Sequence, residues 1–174
     1  KYHYRFDDML VYVDDSGKPL ATEAKQFVHH GDTKLHLAFS IFLFNSKGET
    51  LLQQRAFSKK TWPGVWSNSC CGHQMLHEPP IDGAKRRLKY ELGISGVELK
   101  CVLPDFRYRA EKDGVVENEI CPVFVGFADA QIMAEPNEVA SVEWRDWREL
   151  IDEIESGRSK LSPWANVEAQ LLAA

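Results

Sequence analysis

Between residues 115 and 125 the chain reads Val-Val-Glu-Asn-Glu-Ile-Cys-Pro-Val-Phe-Val. By composition this is an apolar strand, yet two carboxylates, Glu117 and Glu119, alternate inside it. Side chains two residues apart in a strand share a face, so both carboxylates emerge on one side. Buried charge is costly unless it is paired or bound to a metal, and neighbouring carboxylates raise one another's pKa unless a cation intervenes. A fold that accepts this strand must leave that face in water at a sheet edge or bring cationic or metal-binding partners to it. The stretch alone leaves both readings open.

A chain of 174 residues with 44% hydrophobic content is one ordinary globular domain, able to bury roughly 70% of its unfolded surface. Its net charge of −5 argues against a nucleic-acid binder that relies on bulk positive charge. The run Leu37 to Phe44 is too short to span a membrane and reads as a buried strand. Residues 1–8 lack the apolar core of a signal peptide and are expected to be a flexible end, with the domain running from 9 to 174. Cys70, Cys71, Cys101 and Cys121 form no Cys-x-x-Cys pair, and the adjacent Cys70 and Cys71 have poor disulfide geometry. A reducing, cytoplasmic setting follows. No Gly-x-Gly-x-x-Gly or Walker pattern asks for a dinucleotide or an ATP-type loop.

Turn and periodicity signals predict the elements. Met9–Val13 is a strand ended by the turn cluster Asp14 to Pro19. Residues 35–45 and 49–55 are strands joined as a hairpin through Ser46-Lys47-Gly48. A basic, aromatic loop over 57–66 precedes a strand over 66–72. A helix begins with Asp82 as N-cap, carries Ala84, Leu88 and Leu92 on one face, and stops at Gly93. Strands near 97–103, 116–127 and 141–147 follow, with helices near 148–155 and 163–173. This order predicts a single-domain α/β or α+β sandwich.

Ligand-type residues stand in similar apolar settings. Cys71 and His73 share a face if their segment is extended. His29, His30 and His36 cluster in sequence. Taken singly, each reads more readily as a packed cysteine or a satisfied histidine. Together, imidazoles and carboxylates form a nitrogen and oxygen set suited to zinc, manganese or iron. Arg55, Lys59, Lys60, Lys25 and the Arg86-Arg87 pair form a second group. Such charges are usually solvated, but converging on one cleft they would suit a diphosphate.

The run Gly72-x5-Glu78-x7-Arg86-Arg87-Leu88-Lys89-Tyr90-Glu91-Leu92-Gly93-Ile94 resembles the Nudix box, Gly-x5-Glu-x7-Arg-Glu-U-x-Glu-Glu-x-Gly-U, in spacing throughout. Arg87 and Tyr90 replace two carboxylates with which Nudix hydrolases hold their metals, so pyrophosphate hydrolysis should be crippled. Further motifs are Asp32 to Ser40, Ser58-Lys59-Lys60-x-Trp62-Pro63-Gly64-Val65-Trp66, Asn68 to His73, Pro104 to Arg109, Glu117-Asn118-Glu119 and Ser162-Pro163-Trp164. With them the chain resembles the type I isopentenyl diphosphate isomerases from about residue 23 to 166.

That resemblance implies a Nudix-like α/β/α sandwich with a mixed sheet. It also implies an enzyme that interconverts isopentenyl and dimethylallyl diphosphate. Its metal ligands would be His29, His36, His73, Glu117 and Glu119, holding one Mn²⁺ or Zn²⁺; His29 is preferred to His30 because it stands seven residues before His36. Glu91 would help place Mg²⁺ against the substrate diphosphate. Cys71 and Glu119 would be the two catalytic groups, with Tyr108 bonded to the catalytic carboxylate. Lys25, Arg55, Lys59 and Arg87 would hold the diphosphate, and Trp164 would face the hydrocarbon tail. The partner is then a small diphosphate, with neither nucleic acid nor membrane involved, and a monomer is expected. A pyrophosphohydrolase and a catalytically dead binding module are the competing classes.

Overall fold

A computed structural model describes residues 9–174; the expectation for residues 1–8 lies outside the described residues. In chain order the elements are β1 (Met9–Val13), β2 (Pro19–Ala24), α1 (Lys25–Val28), β3 (His36–Phe44), β4 (Glu49–Arg55), β5 (Trp66–Ser67), β6 (Cys70–His73) and α2 (Pro80–Leu92). Then follow β7 (Leu99–Leu103), β8 (Arg107–Lys112), β9 (Val115–Ile120), β10 (Val123–Phe127), β11 (Val139–Asp146), α3 (Trp147–Glu155) and α4 (Pro163–Ala173).

The strand β3 organises the sheet. It pairs antiparallel with β6 and parallel with both β9 and β10, so the sheet is mixed. Its side chains alternate between two cores, as a doubly covered strand requires. Phe39, Ile41 and Leu43 pack with Ala84, Leu88 and Leu92 of α2. Phe42 packs on the opposite side with Leu150 and Ile154 of α3 and Ala169 of α4. Helices therefore cover both faces, the α/β/α arrangement.

Several local expectations are corrected. The loop at residues 46–48 does turn the chain, but β3 and β4 share only the Phe44–Thr50 pair. Beyond it β4 runs along β11 and β3 along β6, so the hairpin is no more than a corner. The strand expected over 66–72 breaks at Asn68 and Ser69, whose buried side chains bond backbone groups of neighbouring strands instead. The long strand expected over 116–127 divides at Cys121-Pro122, because Pro122 has no N–H for a ladder. Asp82 is not the N-cap of α2: the cap is Pro79, and Asp82 lies in the first turn, where its charge favours the helix dipole. The segments β2, α1 and β8 lacked a periodic apolar signal; β2 and β8 are largely solvent-facing.

Two glycines are set by geometry. Gly93 closes α2 at φ 68°, its N–H bonded to the carbonyl of Lys89. At Gly72 a Cβ would come within 2.7 Å of Arg87 Cγ and 2.8 Å of Phe39 Cζ. Only glycine lets β6 approach α2 this closely.

Candidate active site

Sheet register gathers the ligand-type residues. His36 of β3 pairs with Glu119 of β9, Glu119 pairs with Tyr108 of β8, and His73 of β6 pairs with Ala38 of β3. His29 arrives from the loop after α1, which is tied down by Val116 N–H donating to the His30 carbonyl at 2.9 Å. One donor atom from each of His29, His36, His73, Glu117 and Glu119 falls within 4.8 Å of all the others. His29 Nε2 is 2.9 Å from Glu117 Oε2, and His36 Nε2 and His73 Nε2 are 3.4 and 3.5 Å from Glu119 Oε1. His30 stays outside. Both glutamates are 5% exposed, which excludes the solvated-edge reading.

The tautomer of His36 decides what this cluster can hold. Its Nδ1 lies 2.9 Å from the Lys34 carbonyl, an acceptor, so Nδ1 carries the proton. Burial pushes His29, His36 and His73 below the ordinary imidazole range. In the neutral ring His36 Nε2 is then a bare lone pair, fully buried and without a hydrogen-bond partner, facing carboxylate oxygens. Acceptors facing acceptors repel unless a proton or a metal cation sits between them. The donor set therefore fits a divalent metal ion.

The lining of the adjoining cavity includes Cys71, His73, Tyr108, Glu117 and Glu119. Tyr108 donates to Glu119 Oε2 at 3.0 Å. Burial and the charge of Glu117 push Glu119 well above the usual carboxylate range, with Tyr108 opposing. Cys71 donates its thiol proton to Asn68 Oδ1 at 3.0 Å. The Asn68 amide nitrogen donates to the carbonyls of Ile41 and Cys70, which turns Oδ1 toward the thiol. Burial pushes the thiol up to about 12.

The same cavity is also lined by a basic group, Lys25, Arg55, Lys59 and Arg87, together with Trp164. Burial and the charge of Lys59 pull Lys25 down to about 8. Lys59 ion-pairs with Glu138, and Arg87 Nη2 lies 3.4 Å from the same carboxylate. Arg55 bonds the Thr61 carbonyl at 2.8 Å and the Trp62 carbonyl at 3.2 Å. That grip holds Trp62 at φ 45°, a conformation bulky residues rarely adopt. Trp62 then packs edge-on against Trp164 at 5.1 Å, and Trp164 stacks on Tyr108 at 5.6 Å. Glu91 stands apart from the five-ligand cluster: it accepts the Cys70 thiol at 2.8 Å and lies 3.4 Å from Arg87 Nε.

Sequence reasoning missed three participants. Glu138, which pairs with Lys59 and Arg87, sits in a loop without any periodic signal. Asn68 appeared within a motif but without a role. Glu168 does leave a trace, since it is a carboxylate between Ala165 and Ala169 on the buried stripe of α4.

The NUDIX domain family matches residues 34–165. Among solved structures, DR0079 from Deinococcus radiodurans superposes with a TM-score of 0.70 at 17% identity, covering 91% of this chain and 96% of that one. A MutT protein from Methanosarcina mazei gives 0.63 at 20% identity, covering 78% of this chain and 91% of that one. These two likenesses concern the fold. Sequence relatives are nearer. An isopentenyl-diphosphate Delta-isomerase of Mycolicibacterium vanbaalenii is 46% identical, covering 96% of this chain and 92% of the relative. One of Saccharopolyspora erythraea is 48% identical over 90% and 81% of the two chains, and one of Escherichia coli O139:H28 is 43% identical over 94% and 93%. With a Nudix fold, a buried His/Glu cluster beside a basic cavity and relatives of this identity over nearly its whole length, the chain belongs to the isopentenyl-diphosphate Delta-isomerase family of the NUDIX superfamily.

Proposed function

We propose that this protein interconverts isopentenyl and dimethylallyl diphosphate by adding a proton at one carbon and removing another two carbons away. One observation carries the reading: Cys71 and Glu119 line the same cavity as four cationic side chains. Protonating an unactivated alkene needs a positioned acid in a dry site, and the shift is completed by a base at the second carbon. Glu119 with Tyr108, and Cys71 with Asn68, are the two proton-handling pairs.

Lys25, Arg55, Lys59 and Arg87 hold the diphosphate. This fixes the alkene between the two pairs and keeps the allylic leaving group from departing. Trp164 is 3% exposed and presents its ring to the cavity, where cation–π attraction of roughly 1–2 kcal/mol would favour the carbocation. His29, His36, His73, Glu117 and Glu119 would hold one divalent transition metal, Mn²⁺ or Zn²⁺, and Glu91 would help hold Mg²⁺ with the substrate. Bound metal supplies positive charge that stabilises the Glu119 carboxylate and screens it from Glu117.

Hydrolysis fits less well. Arg87 and Tyr90 occupy positions where Nudix hydrolases carry metal-binding carboxylates, and the Arg87 guanidinium lies over the Tyr90 ring at 4.9 Å. The four cysteines are free and no described helix is long and apolar enough to cross a membrane.

Proton NMR of isopentenyl diphosphate in heavy water, with Mg²⁺ and a trace transition metal, tests the reading. The dimethylallyl isomer should appear with deuterium incorporated. Release of phosphate or pyrophosphate instead would establish the hydrolase, and an unchanged substrate with metal bound would leave a binding module.

A further inference from the structure

Behind Cys71 lies a buried carboxyl group that the proposed chemistry does not use. Glu168 is fully buried on α4, between Ala165 and Ala169, which are fully buried too. Its Oε1 accepts the Ser40 hydroxyl at 3.0 Å, while its Oε2 is buried without a hydrogen-bond partner. An alkyl side chain in this stripe would avoid the desolvation cost that a carboxyl carries. Burial pushes the Glu168 carboxyl well above the usual range, and the Ser40 bond opposes that rise.

Ser40 connects this carboxyl to the cavity. On β3 it stands opposite Cys71 of β6, and its Oγ lies 3.4 Å from Cys71 Sγ and 3.3 Å from Cys121 Sγ. A hydroxyl has one proton and two lone pairs. With the proton directed to Glu168, the lone pairs face the two thiols. Cys71 Sγ is then flanked by acceptors on two sides, Ser40 Oγ and Asn68 Oδ1.

We propose that Glu168 is a positioning residue for Cys71: by taking the Ser40 hydroxyl it fixes which atoms of Ser40 face the sulfur, and so where the thiol proton points. The inference rests on the reading that Cys71 moves a proton during isomerisation. An amide oxygen can accept the same bond, so Glu168→Gln should preserve the arrangement. Glu168→Leu cannot accept it; the freed Ser40 hydroxyl would then turn and donate to sulfur.

The test uses metal-loaded protein, three single variants, Glu168→Gln, Glu168→Leu and Ser40→Ala, and the double variant that combines Glu168→Leu with Ser40→Ala, with folding checked by circular dichroism. Two quantities are read: kcat and KM for isopentenyl diphosphate, and the iodoacetamide alkylation rate of Cys71 by peptide mass, with exposed Cys101 as internal reference. Glu168→Leu should lower kcat about tenfold with KM within about twofold, as misplacement of a reacting group does. Its Cys71 should alkylate about threefold faster or more, because a donated hydrogen bond favours the anionic sulfur. Glu168→Gln should stay near the parent in both readings. The kcat losses of Glu168→Leu and Ser40→Ala should not add in the double variant, since both cut one chain of bonds. Parent-like kcat and Cys71 alkylation in Glu168→Leu overturn the proposal, as does a Glu168→Gln variant that behaves like Glu168→Leu. If the parent itself shows no isomerase activity the functional reading fails, and the alkylation comparison still decides whether Glu168 positions Cys71.

Discussion

In the imidazole–carboxylate cluster, five donor atoms converge and His36 Nε2 has no hydrogen-bond partner. In the basic group, Lys59 and Arg87 already share the Glu138 carboxylate, and Arg87 also faces Glu91. The first is electrostatically incomplete without a cation. The second is partly offset by the protein's own carboxylates, which cover Lys59 and Arg87, and in the proposed role it would exchange them for substrate phosphate. The difference separates two kinds of proposed binding: the His/Glu cluster would gain a missing charge, while the basic group would trade one set of ion pairs for another. Metal should therefore affect stability strongly, whereas the basic group should affect mainly substrate affinity and its pH dependence.

Chelation gives the largest expected effect on this contrast. It should abolish turnover and lower the thermal midpoint by roughly 6–12 °C, because a ligand at a hundred times its Kd contributes about 3 kcal/mol and each kcal/mol shifts a domain of this size by about 2–4 °C. Differential scanning calorimetry with and without chelator measures it. An unchanged midpoint would mean that the His/Glu cluster is not a metal centre. Next in size, Glu119→Gln should reduce turnover by roughly 10²–10⁴-fold, the usual loss for a general acid or base, and should also reduce bound metal by elemental analysis. A near-parental rate would remove Glu119 from the chemistry.

Trp164→Leu should lower kcat about tenfold with a smaller change in KM, since roughly 1–2 kcal/mol of cation–π attraction is realised only as charge develops. Raised KM with unchanged kcat would reduce Trp164 to shaping the pocket. The smallest effect belongs to the basic group. Lys25 has its pKa drawn down from the ordinary lysine value to about 8, so it is charged below pH 8 and neutral above. In the proposed role the charged form binds diphosphate; kcat/KM should therefore fall several-fold as pH rises through about 8, and Lys25→Arg should move that limb upward, because guanidinium stays protonated. A pH profile identical in Lys25→Arg would assign the limb to another group.

Much of this was legible before the fold. Glu117 and Glu119 announced themselves as charge inside an apolar strand, Gly93 as a helix stop, and Gly72 through Ile94 as a spaced motif. Local patterns of that kind survive folding because strand alternation and helix termination are short-range. Others did not. Asp82 has the chemistry of an N-cap, but Pro80 supplies a stronger start to α2 two residues earlier. The hairpin at residues 46–48 turns as expected, yet its strands part because β11 and β6 offer longer partners. Glu138 had no signal at all, since its role is defined by cations far away in sequence.

By itself the sequence determined most of the elements, the buried strand over residues 37–44, and the residue types suited to binding metal and moving protons. Tertiary structure decided which of them meet. The register of β3 against β9 and β6 brings His36, Glu119 and His73 to one point. A one-residue slip would send each side chain to the opposite face. Packing of α4 across the sheet set Glu168 against Ser40, and through it behind Cys71. Contacts of this kind join residues up to 128 positions apart. They are fixed by long-range packing, to which no local pattern in the chain refers.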